Sequence, residues 1–323
     1  MHTKIHDKRF SHFCKGGAYI VYTVAISLLA YTLVLAKEIQ KSKVIQDPTG
    51  KVYYKIQKRG GLMLGAIVGD IVGSRFEFNN TDKYDFELFT QENSYTDDTI
   101  CTIAIADAIN RRSTRKDGDP CYAANLLRWC RKYPNPMGAY GGSFARWIHS
   151  ERPQPYNSFG NGSAMRVAPV AWAFNSLEEV RREAERTASV THNHPEGIKG
   201  AVAVAHAIYS QRNGFDPGEL ERVGNLYYPG FLGATYTPGV FNETCQGTVP
   251  ICLKIVRYSS SFEDAIRKAI SWGGDSDTIG AIVGSIAEAA FGIPHEIYST
   301  ALHYLPEEMN WVIGKYFEKL NII

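Results

Sequence analysis

From residue 62 onward, apolar positions recur in alanine- and glycine-rich runs rather than in the strict alternation of half-buried strands. The run LMLGAIVGDIV (62–72) is apolar on nearly every side, with Gly65, Gly69 and Gly73 four apart. That spacing predicts a buried helix with a glycine stripe along which a second helix can approach closely. Further helices are expected over 96–109, 120–132, 143–148, 197–212, 249–260, 262–271 and 279–291, with a final one carrying Trp311, Tyr316 and Phe317. Residues 177–189 read as a charged amphipathic helix on a solvated face. Residues 212–246 lack a period and read as a long loop over the site, or an insertion. No strand–helix alternation appears, so the fold class is all-α, built from many short helices.

The first 60 residues break this pattern. Residues 16–36 carry no charge and lie between Lys15 and Lys37. As a helix they would cover about 30 Å, the thickness of a bilayer core. A single membrane anchor is the expectation, against a buried core helix or an artefactual upstream extension. The slight excess of lysine after this run would place the large domain, and its localisation, on the cytoplasmic side. Residues 38–59 are polar, contain Asp47-Pro48-Thr49-Gly50, and read as a linker with a turn. The expected division is therefore an extension over 1–60 and a catalytic domain over 61–323.

Composition narrows the function classes. Apolar residues make up 44% and charged residues 21%, which fits a folded globular body. A net charge of +2, with no basic run interleaved with aromatics, argues against a nucleic-acid partner. None of the six cysteines forms a CxxC pair, and Cys101 inside an apolar run reads as a small buried thiol.

The candidate chemistry lies in two acidic stretches, Tyr95-Thr96-Asp97-Asp98-Thr99-Ile100 and Gly273-Gly274-Asp275-Ser276-Asp277-Thr278-Ile279. Each sets two carboxylates and a threonine before an apolar helix. Capping explains one acidic residue at a helix start but does not require a pair. Four carboxylates in a packed core are costly unless a cation neutralises them, and their oxygens suit Mg²⁺ or Mn²⁺ over zinc. Asp70 is expected to cap or bridge a neighbouring element. Glu77, just after a buried helix, is a candidate catalytic carboxylate or neighbour of the metal site. Glycine turns precede Ser143 and lie around Asn161-Gly162-Ser163, where backbone N–H groups can face an anion. Neither matches a Walker loop or a dinucleotide fingerprint. His192 is a candidate polar contact to substrate, and zinc-like spacing is absent around His192 and His194. His206 reads as packed.

Taken together, GAIVGDIVGSRFE (65–77), YTDDT (95–99), GGSF (141–144), GNGSAMRVAPV (160–170), VTHNHPEG (190–197) and GGDSDTIGAIVGSIAEA (273–289) resemble, in order, the ADP-ribosylglycohydrolase family. The resemblance implies an orthogonal helical bundle around two Mg²⁺ ions, or Mn²⁺. Carried over by motif, Thr96, Asp97, Asp98, Asp275, Asp277 and Thr278 would hold metal. Glu77 would lie between metal and scissile bond, with Asp97 and Asp98 assisting catalysis. Gly141, Gly142, Ser143, Asn161, Gly162, Ser163 and Met165 would hold ADP-ribose, and His192 would touch substrate. The implied partner is an ADP-ribosylated protein or ADP-ribose conjugate, met by a monomeric catalytic domain. Rival readings are a small conjugate such as O-acetyl-ADP-ribose, a dimetal phosphohydrolase, and a non-catalytic ADP-ribose-binding protein.

Overall fold

A computed structural model of the chain describes residues 43–46, 52–55, 63–112 and 119–320. Helices α1 (Leu64–Ser74), α2 (Asp97–Arg111), α3 (Tyr122–Lys132), α4 (Gly142–His149), α5 (Gly162–Met165), α6 (Ala168–Ala173) and α7 (Leu177–Ser189) form the first half. The second half holds α8 (Pro195–Gln211), α9 (Pro217–Tyr227), α10 (Cys245–Arg257), α11 (Phe262–Trp272), α12 (Ser276–Phe291), α13 (His295–Leu302) and α14 (Glu307–Lys319).

The centre is the antiparallel pair α1 and α12. Every residue of α1 is buried, as is α12 from Ser276 to Ala290, which explains why both runs are apolar all round. A Cβ on Gly65 would fall onto the Gly284 carbonyl, one on Gly69 onto that of Gly280, and one on Gly73 onto that of Ser276. Only hydrogen side chains permit this approach. Because the pair runs antiparallel, the end of α1 lies against the start of α12. This brings Glu77 to Asp275 and Asp277. At the other end, the carboxylate of Glu288 accepts from Gly65 N–H at 2.8 Å and satisfies one open donor of α1.

Helix α2 packs against α1, α3 and α14 and is buried from Asp98 to Ile109. Cys101 sits in this core as expected, with its sulfur 3.9 Å from Cys130 Sγ. Helix α7 starts with a capping box, Ser176 and Glu179 bonding reciprocally, and packs along α8.

Two expectations are corrected. Residues 212–246 are not one loop: α9 lies inside them, capped by Asp216, which accepts from Glu219 N–H at 3.0 Å, and buries Leu220 and Val223. The helix is short and interrupted by Gly218 and Gly224, which hid its period. The polar stretch read as a linker carries an antiparallel hairpin, Lys43–Gln46 with Val52–Lys55, on either side of the predicted turn. These are the strands among the described residues, so the fold is mostly helical. The apolar run 16–36 lies outside the described residues, and among those described no helix is long and apolar enough to cross a membrane.

Candidate active site

Three chain segments meet at the starts of α2 and α12. Thr96 caps α2: its hydroxyl oxygen accepts from Asp98 N–H at 3.2 Å and donates to Asp70 Oδ1 at 2.7 Å. The other Asp70 oxygen accepts from the N–H groups of Thr96 and Thr99, both at 3.0 Å. Asp70 is thus the bridge expected of it, and a fully buried carboxylate from α1 fixes where Asp97 and Asp98 begin. Across from them, Thr278 donates to Asp98 Oδ2 at 3.1 Å, and Asn161 Nδ2 donates to Asp275 Oδ2 at 2.6 Å.

Glu77, Asp275 and Asp277 offer oxygens that all lie within 4.8 Å of one another. Burial raises the proton affinity of Glu77 to about 7, and the charges of Asp275, Asp70 and Glu243 add to it. Burial, then neighbouring carboxylates, likewise lifts Asp97, Asp98 and Asp277 well above the usual carboxylate range. Asp70 is raised only to about 6, because its bonds from Thr96 and Thr99 oppose the effect of burial.

The cluster fits a bound cation. Glu77 Oε2, Asp98 Oδ1 and Asp277 Oδ1 are buried oxygens without a hydrogen-bond partner among the described residues. Orphaned acceptors of this kind are costly unless something positive meets them. The donors are all oxygens, which suits a hard divalent ion rather than zinc. Among the described residues, the oxygens that gather here are joined by no nitrogen or sulfur ligand.

Around the carboxylates opens a cleft of about 360 Å³. Of the predicted site residues, Glu77, Asp97, Asp98, Gly141, Gly142, Ser143, Asn161, Gly162, Met165, His192, Asp275, Asp277 and Thr278 line it. Thr96 and Ser163 do not. Thr96 is buried beneath Asp98, and Ser163 spends its hydroxyl on the Gly197 carbonyl at 2.7 Å. Gly138, at φ +78°, lies so close to Glu77 Oε2 that a Cβ there would strike it. A backbone bridge between Thr96 and Met137 holds that loop in place.

His192 is 5% exposed. The Thr191 hydroxyl accepts from Arg166 Nη2 at 2.8 Å and stands 2.7 Å from His192 Nδ1. A Thr191 hydroxyl that donates to Nδ1 leaves the ring proton on Nε2. Burial, reinforced by the Arg166 charge, keeps the ring neutral. Nε2 faces the turn at Gly160 and Gly162, 3.3 Å from where a Gly162 Cβ would stand.

Sequence reasoning passed over Arg166, Tyr140, Phe78, Phe241 and Glu243, all of which line the cleft. Arg166 stood inside a quoted motif, but its role depends on Thr187 in α7 and Thr191 in the turn beyond it. Phe241 and Glu243 lie in the aperiodic region, where no local pattern marks them.

A model of the ADP-ribosylglycohydrolase family matches residues 55–311. The chain belongs to the ADP-ribosylglycohydrolase family. It is 24% identical to ADP-ribosylhydrolase ARH3 of Mus musculus, over 74% of this chain and 85% of that protein. To ADP-ribosylarginine hydrolase Tri1 of Pseudomonas putida it is 27% identical, over 74% and 71%. A solved structure described as an ADP-ribosylglycohydrolase-related protein complex superposes with a TM-score of 0.62 at 22% identity, covering 81% of this chain and 97% of that one. This last likeness speaks to the fold. The relatives' hydrolase names agree with a family of enzymes.

Proposed function

We propose that this family member hydrolyses the glycosidic bond between ADP-ribose and an acceptor on a protein, using two divalent cations, Mg²⁺ or Mn²⁺. The observation that carries the reading is the set of unpartnered carboxylate oxygens on Glu77, Asp98 and Asp277, facing one cleft with two glycine turns. Asp97, Asp98, Asp275, Asp277 and Thr278 would hold the ions, with Thr96 fixing the position of Asp98. When bound, the ions neutralise the cluster and supply Lewis acidity at the ribose hydroxyls and the attacking water.

The chain's own residues do the rest. Glu77, half-buried at the cleft, takes a proton from water or returns one to the leaving group. Bond breaking at the anomeric carbon builds positive charge on the ribose, and the surrounding carboxylates favour it. Backbone N–H groups of the 141–143 turn, which opens α4, suit a diphosphate. The neutral His192 ring, with Nε2 beside Gly160 and Gly162, offers one polar contact to substrate. The catalytic domain is assigned to 61–323. The membrane anchor proposed for 16–36 rests on sequence alone, and fractionation of the chain expressed from Met1 tests it.

The experiment is release of free ADP-ribose from ADP-ribosylated peptides with Mg²⁺ or EDTA. Expected are loss of activity in EDTA and a fall of about 10²-fold or more in kcat for Glu77→Gln. AMP or inorganic phosphate as product would instead identify a phosphohydrolase. Cleavage of O-acetyl-ADP-ribose alone would move the substrate to the small conjugate.

A further inference from the structure

Two phenylalanines stand in solvent at the mouth of the cleft. Phe78 is 75% exposed and Phe241 is 44% exposed, yet their rings stack with centroids 5.9 Å apart and planes 21° from parallel. Both line the cleft with Glu77 and Glu243. Large apolar rings left in water beside a reaction centre need an explanation that packing does not give.

The rings are fastened to one turn. Phe78 precedes Asn80, whose side chain accepts from Gly274 N–H at 2.7 Å and donates to the Gly274 carbonyl at 2.9 Å. Phe241 follows Gly239, whose N–H donates to the Trp272 carbonyl at 2.8 Å. Gly274 lies so tightly under Val240 that a Cβ would press on the Val240 carbonyl. The Gly273-Gly274 turn leads directly into Asp275. The aromatic pair is therefore built onto the frame of the acidic cluster, from segments more than 150 residues apart in sequence.

Charge at this rim is one-sided. Two divalent ions would balance Asp97, Asp98, Asp275 and Asp277, leaving Asp70, deep beneath the cleft, and Glu77 and Glu243 over. The Glu243 carboxylate makes no hydrogen bond or ion pair among the described residues, while its charge reaches both Glu77 and Asp275. A second aromatic wall, Tyr140 edge-on to Phe144 with centroids 5.7 Å apart, stands beside the 141–143 turn and is available to the base of the nucleotide. The Phe78–Phe241 pair adjoins Glu77 instead, the residue proposed above to act at the bond that breaks.

Resting on the proposed hydrolysis, we infer that Phe78, Phe241 and Glu243 form the leaving-group subsite and select a planar cation, a guanidinium, over a neutral hydroxyl. A guanidinium stacks on an aromatic face and pairs with a carboxylate at once, gains that an alcohol oxygen cannot match.

The test uses two peptides identical except for an arginine-linked or a serine-linked ADP-ribose, with Mg²⁺ and the full chain. The wild type is expected to favour the arginine conjugate in kcat/KM. Phe78→Ala/Phe241→Ala and Glu243→Gln should each shrink that preference at least tenfold, with unfolding temperatures near wild type because all three side chains are exposed. An arginine-to-serine ratio below one in the wild type, or unchanged in both variants, overturns the subsite and leaves the hydrolysis standing. An equal loss on both peptides assigns the rings to the nucleotide base and also overturns it. Cleavage of neither peptide overturns the hydrolysis itself, and the subsite with it.

Discussion

Asp70 and Thr96 are joined twice, by the Thr96 backbone N–H at 3.0 Å and by its hydroxyl at 2.7 Å. One buried carboxylate in α1 thus sets the start of α2, and with it the direction in which Asp97 and Asp98 leave the chain. Replacing Asp70 with Asn leaves one oxygen for the N–H groups of Thr96 and Thr99 but turns an amide N–H toward the Thr96 hydroxyl and removes the charge. The expected cost is about 2–3 kcal/mol, since a buried acceptor is lost and a helix start loses its anion. Thermal unfolding checks the stability, and Mg²⁺ titration should show weaker binding although Asp70 is not a proposed ligand.

The glycine contact between α1 and α12 should tolerate nothing larger. Gly69→Ala forces a methyl into the Gly280 carbonyl, and a loss of about 3 kcal/mol or failure to fold is expected. Gly141→Ala is the comparison: its Cβ would meet nothing within 4 Å, so stability should stay within about 0.5 kcal/mol of wild type. Chemical denaturation of both variants decides whether close approach, rather than glycine as such, matters in α1.

Metal binding should displace protons. In the metal-free cluster, burial and neighbouring carboxylates raise the proton affinity of Glu77 to about 7 and that of Asp97, Asp98 and Asp277 well above the usual carboxylate range. A divalent ion favours their ionised forms, so adding Mg²⁺ at pH 7 should release protons. Calorimetry in buffers of different ionisation enthalpy measures the number. A count of zero would contradict the assignment of the ion to this cluster.

The Thr191 hydroxyl should decide the tautomer of His192. Nitrogen NMR is expected to show the proton on Nε2 in the wild type. Thr191→Val should mix the tautomers and raise KM, and Thr191→Ser should restore both. Loss of Arg166 as a donor to Thr191 would act in the same direction, with an added stability cost because Arg166 also holds the Thr187 carbonyl.

His206 gives a stability signature. Burial, then the charges of Arg181 and Arg222, lowers its proton affinity from 6.5 to about 4, while its ring bonds Tyr227 at 3.1 Å. The unfolded chain therefore binds this proton first as pH falls. The contribution is complete above about pH 6.5 and is lost on the way to about pH 4, on the order of 1–2 kcal/mol after solvent screening. His206→Gln should flatten that part of the curve of unfolding temperature against pH.

The sequence by itself determined most of the helices, though not α9 or the hairpin, and the chemical type of the site. Glycines four apart marked α1, paired aspartates before apolar runs marked the starts of α2 and α12, and oxygen donors favoured a hard ion over zinc. These are local signals, because a helical face, a cap and a ligand type are each written within a few neighbouring residues. Only the tertiary structure decided which of these parts meet. Antiparallel packing of α1 on α12 carries Glu77 to Asp275 and Asp277, and Asp70 reaches across to Thr96. It also turns Thr96 and Ser163 away from the cleft, and it raises Phe241 and Glu243 out of an aperiodic loop to face Phe78. Contacts across some 200 residues depend on which surfaces are complementary in three dimensions. A one-dimensional pattern records the shape of each surface but not its partner.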